Sequence, residues 1–158
     1  MDNAIRIEEM TIDDIPVAYA INLEAHKDDP WPMEWFEEAF NGNPEEPTPY
    51  YFLAYYNDQL AGFCGMYHNF IFTPNFCKIA TLAVLPAFQR KGIGRALMQK
   101  MLDTAAGLGL DRAKLEVSTK NPAVKMYEDF GFKIEELHEK YFKKSGDDGY
   151  IMWRYDNG

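Results

Sequence analysis

The chain has 158 residues, of which 47% are hydrophobic and 26% are charged, a balance that excludes a disordered chain and a coiled coil. No stretch approaches the roughly 20 apolar residues of a membrane span, and the first residues lack the pattern of a secretory signal. The two cysteines, Cys64 and Cys77, are too few for a disulfide framework. We therefore expect a cytoplasmic protein without a membrane partner, formed by a single domain over residues 1–158.

The expected strands alternate in hydrophobicity or are rich in aromatic and β-branched residues: 4–8, 50–56, 60–72, 76–85, 113–117, 132–137 and 150–155. The first expected helix follows a cap at Thr11 and Asp14 and extends to about residue 27, and the others are residues 33–40, 92–106 and 122–130. This order predicts an α/β (α+β) fold, with a mixed central sheet of about six or seven strands flanked by about four helices.

Smaller signals refine these elements. Asn57 and Asp58 predict a hairpin turn, and residues 41–49 predict a turn-rich loop. In the second helix the side chains expected to be buried are Trp35, Phe36 and Phe40. In the third helix an apolar stripe at helical spacing predicts the face that packs on the sheet: Ile93, Leu97, Met98, Met101, Leu102 and Ala105.

The charges are unevenly distributed along the chain. The net charge is −9, the first 50 residues contain 13 acidic and 2 basic side chains, and residues 78–100 contain 5 basic and no acidic ones. A chain this acidic is a poor candidate for binding nucleic acid, so we expect no nucleic-acid partner. The basic stretch suits an anion and the acidic one a cationic amine, although an ordinary solvated surface explains both.

The segment that carries chemistry is Gln89-x-x-Gly92-x-Gly94, which lies between a predicted strand and a predicted helix. Glycines let a ligand approach the backbone, and the first amides of a helix attract anions. The segment lacks the Gly-Lys-Ser/Thr ending of a P-loop, and Leu97 stands where a dinucleotide fingerprint needs its third glycine. With four basic residues nearby, the segment predicts a pyrophosphate site of another type.

These residues resemble the pyrophosphate loop of the GNAT superfamily of acetyl-CoA-dependent N-acetyltransferases. The resemblance continues through Leu115-Glu116-Val117 and Met126-Tyr127-Glu128-Asp129-Phe130-Gly131-Phe132. More narrowly, the chain is similar to the branch that acetylates protein N-termini, including the enzyme that acts on a ribosomal protein's amino-terminal alanine. The features shared with that branch are Pro30-Trp31, the Leu-Glu-Val strand, and Tyr141-Phe142 followed by residues 147–152.

The resemblance implies acetyl-CoA as cosubstrate and a direct transfer to a primary amine. It implies Glu116 as the general base and Tyr127 as the general acid, with backbone groups near the thioester. The residues implied to bind the cofactor are Leu82, Ala83, Val84, Gln89, Arg90, Lys91, Gly92, Ile93, Gly94, Arg95 and Asn121. The chain departs from the pattern by having one residue fewer between Asn121 and Tyr127.

For the acceptor, the resemblance implies a groove walled by Trp31, Tyr141 and Phe142, with a protein N-terminus as the expected partner. A small-molecule amine, such as a polyamine, amino acid or antibiotic, is an alternative acceptor. A non-catalytic acyl-CoA sensor is a second alternative, which the presence of Glu116 and Tyr127 disfavours. His26, His68 and His138 lack metal-ligand spacing, so we expect no metal. The sequence leaves a monomer and a homodimer equally open.

Overall fold

The computed structural model describes residues 4–27, 30–40, 47–68, 70 and 75–155. Its strands are β1 (Ile5–Glu9), β2 (Thr48–Tyr56), β3 (Gln59–His68), β4 (Phe76–Val84), β5 (Arg112–Ser118), β6 (Lys133–His138) and β7 (Gly149–Tyr155). Its helices are α1 (Ile15–Ala25), α2 (Met33–Ala39), α3 (Ile93–Gly107) and α4 (Val124–Asp129). The expected element order and mixed α/β architecture are confirmed. Among these residues, no helix is both long and apolar enough to cross a membrane.

All seven strands form one sheet in the order β1-β2-β3-β4-β5-β7-β6. The helix α3 covers one face, and the whole predicted stripe of this helix is buried there in one apolar cluster with Cys64 and Cys77. Helices α1 and α2 cover the β2–β4 part of the other face, where Ile21 and Phe36 belong to a second cluster. The sheet therefore separates two layers, and a ligand can approach it from two sides.

The hairpin turn and the helix cap predicted from the local sequence are both present. Asn57 and Asp58 both adopt positive φ angles, 49° and 65°, as a tight turn between β2 and β3 requires. The Thr11 amide donates to the Asp14 carboxylate at 2.8 Å, which caps the chain entering α1. Of the predicted loop at 41–49, residues 41–46 lie outside the described part of the chain, and so do residues 69 and 71–74.

One burial prediction is wrong. Trp35 is 50% exposed, whereas Phe36 is completely buried. Because α2 has only seven residues, it presents a narrow face to the sheet, and Phe36 occupies that face. Trp35 instead makes an edge contact with the ring of Trp31 at 5.4 Å, outside the core.

The feature that positions the site is the separation of β4 from β5. These parallel strands share only three rungs in the described sheet, and the last pairs Lys78 with Lys114. On its other edge β4 carries a bulge, because Gly65 pairs with Thr81 and Met66 pairs with Ile79. A bulge bends the strand that contains the extra residue. Beyond Lys78 the two strands diverge and leave a slot in the middle of the sheet.

Candidate active site

A cleft of about 1630 Å³ occupies this slot and reaches both faces of the sheet. Its walls include β4 residues Ile79 to Leu82 and β5 residues Leu115 to Ser118. The α1–α2 connection contributes Trp31 to the lining, and the β6–β7 segment contributes Phe142. Concave sites that combine apolar walls with a few polar groups are the usual binding sites of proteins.

Glu116 enters the cleft from the face covered by α1 and α2. Side chains alternate along a strand, so its carboxylate points away from Leu115 and Val117, which are buried in the α3 cluster. The Glu116 side chain is 15% exposed and lies 3.1 Å from the Lys78 ammonium and 3.6 Å from the Lys114 ammonium. A carboxylate at this place can accept a proton from an amine.

Tyr127 reaches the same cleft from the opposite face. It lies on α4, belongs to the α3 cluster and packs edge-on against the ring of Phe132. Burial raises the pKa of its phenol to about 12, so the hydroxyl keeps its proton at neutral pH. The slot is thus bordered by a carboxylate on one side and a protonated phenol on the other.

The segment predicted to bind a phosphate lies between the end of β4 and the start of α3. Gly92 has φ of +84°, a left-handed conformation that glycine adopts without strain, and α3 begins at the next residue. Gln89 donates to the Val84 carbonyl at 3.3 Å, which ties the loop to the end of β4. Because the Ile93 side chain is buried, this residue offers a ligand only its backbone amide.

The basic residues of the loop differ in what they contact. Arg90 and Lys91 are exposed, and the Lys91 ammonium lies over the Tyr56 ring. Arg95 instead pairs with Asp129 at 2.8 Å and links α3 to α4, and its charge helps Lys125 to lower the pKa of that carboxyl. Among the other predicted residues of the site, Leu82 lines the cleft and Ala83 is buried toward α1 and α2.

Among the described residues, no close contact requires glycine at position 94. A Cβ added to it meets Met126 Sδ at 3.6 Å and Val84 Cγ2 at 3.9 Å, which are ordinary contacts. Glycine within a helix costs about 0.5–1 kcal/mol relative to alanine. The fold would therefore accept a side chain, and the open backbone at Gly94 fits a ligand pressed against the start of α3.

This argument predicts opposite effects on stability and binding for Gly94→Ala. The free energy of unfolding should stay unchanged or rise by up to about 1 kcal/mol, because the helix gains propensity. The Kd for acetyl-CoA, the cosubstrate that the resemblance implies, should rise about tenfold or more, which isothermal calorimetry measures. Gly107→Ala is the matched control, since the last residue of the same helix has open space around its Cβ. Unchanged affinity in Gly94→Ala would contradict this assignment.

Asn121 lies on the cleft wall and shapes the turn into α4. Its side-chain oxygen accepts a bond from the Ala123 amide at 2.8 Å, and its carbonyl accepts one from Val124 at 3.2 Å. The segment from Asn121 to Tyr127, which is one residue shorter than in the family pattern, thus forms this turn and then the six-residue helix α4. The side-chain oxygen of Asn121 is engaged within the chain, and its amide nitrogen is the group suited to a ligand.

Trp31 is held by a side chain that the sequence reasoning missed. Asn22 on α1 is 1% exposed, and its side-chain amide bonds both backbone groups of Trp31, donating to the carbonyl at 2.9 Å and accepting from the amide at 3.0 Å. Asn22 follows Ile15 by seven residues, so the helical period places it on the buried face of α1. An asparagine on the otherwise apolar face of α1 is the sequence feature that could have predicted this contact.

We expect the substitution Asn22→Leu to weaken the positioning of Trp31 in the lining of the cleft. Both backbone groups of Trp31 lose their partner, which costs about 1–3 kcal/mol of stability. The KM for the acceptor should rise more than kcat falls, as steady-state kinetics measures. Glu24→Leu is the control, because it adds the same side chain at an exposed position of α1. A control variant that loses as much stability and shows the same rise in KM would refute a positioning role for Asn22.

The β6–β7 segment is tied to the end of β5 by Asp147. This carboxylate accepts a bond from the Ser118 hydroxyl at 2.9 Å and pairs with Lys120 at 3.2 Å, and both contacts lower its pKa. The Asp147 carbonyl accepts a bond from the Phe142 amide at 3.1 Å. These contacts hold Phe142 in the lining of the cleft.

Tyr141 has a different position. It is not among the residues that line the cleft, and it packs over Gly149 with ring contacts to His138 and Phe142. A Cβ at Gly149 would lie 2.9 Å from the Tyr141 Cβ, so glycine is required there. Burial and the nearby charge of Glu116 raise the pKa of Tyr141. Its hydroxyl therefore keeps its proton at neutral pH.

Comparison with known proteins agrees with this geometry. Residues 15–132 match the model of the acetyltransferase (GNAT) family. The chain is 37% identical over 132 residues to N-alpha-acetyltransferase RimI of Mycobacterium tuberculosis, covering 83% of this chain and 78% of that protein. It is 32% identical over 140 residues to the ribosomal protein bS18-alanine N-acetyltransferase of Escherichia coli, covering 86% of each.

Solved structures share the fold. The crystal structure of the ribosomal-protein-S18-alanine N-acetyltransferase from Escherichia coli has a TM-score of 0.81 and 27% identity, covering 96% of this chain and 93% of that chain. Arabidopsis thaliana Naa50, in complex with the bisubstrate analogue CoA-Ac-MVNAL, has a TM-score of 0.80 at 22% identity, covering 96% and 98%. The chain belongs to the GNAT family and is an acetyl-CoA-dependent N-acetyltransferase.

Proposed function

We propose that this enzyme acetylates the N-terminal α-amine of a protein, and ribosomal proteins are among the candidate acceptors. The observation that carries the proposal is the position of Glu116 on the wall of a slot that is open at both sheet faces. An acceptor entering from the α1–α2 face reaches the carboxylate without crossing the phosphate loop. Two relatives whose names specify N-alpha or ribosomal-protein-alanine acetylation support this acceptor.

Glu116 is proposed as the general base. An α-amine has a pKa of about 7.7–8, so a modest share is neutral near pH 7 and a single carboxylate suffices to take the proton. The carboxylate removes the proton from the amine, directly or through a water molecule, as the nitrogen attacks. Lys78 and Lys114 hold the carboxylate in place before the acceptor arrives.

Tyr127 is proposed as the general acid. Bound acetyl-CoA supplies the acetyl group as an activated thioester. The Tyr127 phenol, whose pKa is raised to about 12, donates a proton to the departing thiolate. Because Tyr127 and Glu116 border the slot from opposite faces, the thiol can leave on the α3 side while the acetylated amine leaves on the other.

The chain fits acetyl-CoA along the strand-to-helix loop. We propose that Gln89, Arg90, Lys91 and the amides from Gly92 to Arg95 hold the pyrophosphate, with Asn121 contributing from the opposite wall. Backbone groups alternate along a strand, and the Ala83 carbonyl lies against Gly62 of β3, so Leu82 and Val84 are the residues whose backbone groups face the side where β4 lacks β5 as a ladder partner. They are proposed to bind the pantetheine arm and the thioester oxygen.

We propose that Trp31, Phe142 and Tyr141 border the path of the acceptor, and that residues 1–158 act as one cytoplasmic acetyltransferase domain. The acidic first 50 residues add a negative field that favours a cationic chain end. This surface charge contributes to association more than to the chemical step.

Coenzyme A release with a panel of acceptors tests the proposal. The panel contains peptides with free and with acetylated N-termini, an internal-lysine peptide, spermidine and an aminoglycoside. We expect turnover only with free N-termini. Turnover only with a small amine would assign a small-molecule acceptor instead. Binding of acetyl-CoA without turnover of any amine would favour a sensor.

A further inference from the structure

Lys78 is an amine inside the cleft that the proposed mechanism does not consume. It lies on β4 at the last rung shared with β5, beside Tyr67 of β3 in register. Its Nζ is 3.1 Å from Glu116 Oε1, and the side chain is 39% exposed and lines the cleft. Since Glu116 lies two residues beyond that rung, the Lys78 side chain extends forward into the slot.

A second lysine provides an internal comparison. Lys114 Nζ lies 3.6 Å from Glu116 Oε2, but it also lies over the Trp153 ring at 5.7 Å from the centroid. Of these two lysines only Lys78 lines the cleft. Both amines contact the proposed base, but only the Lys78 side chain does so from the lining of the cleft.

We propose that Lys78 is a self-acetylation site, acetylated by its own molecule when acetyl-CoA is bound and no other amine fills the cleft. The step rests on the proposed role of Glu116 as base. The Lys78 ammonium first passes one proton to Glu116, and the neutral amine then forms a bond to the acetyl carbon while the carbon–sulfur bond breaks. The nitrogen loses its second proton to water, and water returns a proton to Tyr127 after the phenol has protonated the sulfur. The departing sulfur takes a proton from Tyr127, and coenzyme A and an N-acetyl-lysine result.

The modification changes the charge of the site. An acetylated lysine has no positive charge, so the Glu116 carboxylate loses its shorter ion pair and keeps the one to Lys114. The amide is not a nucleophile, so the reaction stops after one acetyl group per chain. Self-acetylation would therefore appear as a single burst of coenzyme A release in the absence of any acceptor.

The test is incubation of the purified full chain with acetyl-CoA alone, followed by intact mass and peptide mapping. Wild type and Lys114→Arg are expected to gain one acetyl group, at Lys78, with one equivalent of coenzyme A released. Lys78→Arg keeps a cation beside Glu116 but offers no acetylatable amine, so it should gain none. In Glu116→Gln the rate at Lys78 should fall about tenfold or more.

Two controls separate this reaction from chemical acetylation and from transfer between molecules. Acetyl groups spread over exposed lysines such as Lys143, or an equal rate in Glu116→Gln, would overturn the inference. A rate that rises with protein concentration would also overturn it, because the acceptor would then belong to another molecule.

A parallel reaction with a free N-terminal peptide separates this inference from the proposed function. If the peptide is acetylated and Lys78 is not, self-acetylation is wrong and the proposed function stands. If acetyl-CoA binds and neither amine is acetylated, both are wrong.

Discussion

Replacement of Glu116 by glutamine is expected to lower kcat for acceptor acetylation about 10²- to 10⁴-fold. Glutamine has nearly the same size as glutamate but cannot take the proton that the amine must lose. The two lysine contacts at 3.1 and 3.6 Å also lose their charge partner. Steady-state kinetics at saturating acetyl-CoA measures kcat, and calorimetry with acetyl-CoA measures binding separately.

The matched control is Glu136→Gln. Glu116 and Glu136 both pair with Ile151 of β7, so they stand in one row of the sheet, but Glu136 is exposed and pairs with His138. We expect little change in kcat from this control. A loss below about tenfold in Glu116→Gln would contradict the role of a general base. A Glu116→Gln, Tyr127→Phe double variant that binds acetyl-CoA and turns over like wild type would refute both roles.

Truncation of Phe36 to alanine is expected to cost about 3–5 kcal/mol of unfolding free energy. Phe36 is completely buried and packs against the rings of Tyr19, Trp31, Tyr51 and Phe63 at centroid distances of 6.1, 5.7, 6.3 and 5.7 Å. Its ring joins α2 to the sheet, so its loss leaves a cavity under the acceptor side. Denaturant unfolding monitored by circular dichroism measures the change.

Trp35→Ala is the control for this prediction. Trp35 lies on the same helix and is larger, but half of its surface is exposed. Its loss should cost much less, about 1 kcal/mol. Comparable destabilisation by the two substitutions would show that Phe36 does not anchor α2. Because total stability is typically about 5–15 kcal/mol, the Phe36 variant should remain folded only at moderate temperature.

The parts of the site that lie close together in the chain could be predicted from the sequence. The stripe from Ile93 to Ala105 repeats at helical spacing, and glycine at 92 and 94 marks the preceding turn. Such signals act within one or two helical turns, and the structure places them as expected. Glu116 could be identified as a candidate because Leu115-Glu116-Val117 matches the family pattern. Its contacts with the two lysines could not be predicted in this way.

The rest depends on contacts between distant segments. The ion pair of Lys78 with Glu116 joins residues 38 positions apart and follows from strand register, which composition does not reveal. The bulge that opens the slot depends on how β3 pairs with β4. Trp35 was wrongly predicted to be buried, because in a helix of seven residues the apolar pattern is too short to define one face.

The most direct test of the account uses one peptide that carries both a free α-amine and an internal lysine. After incubation with acetyl-CoA and the enzyme, tandem mass spectrometry locates the acetyl group. The account predicts acetylation of the N-terminal nitrogen, with loss of that product in Glu116→Gln. Acetylation of the lysine side chain, with the α-amine left free, would contradict it.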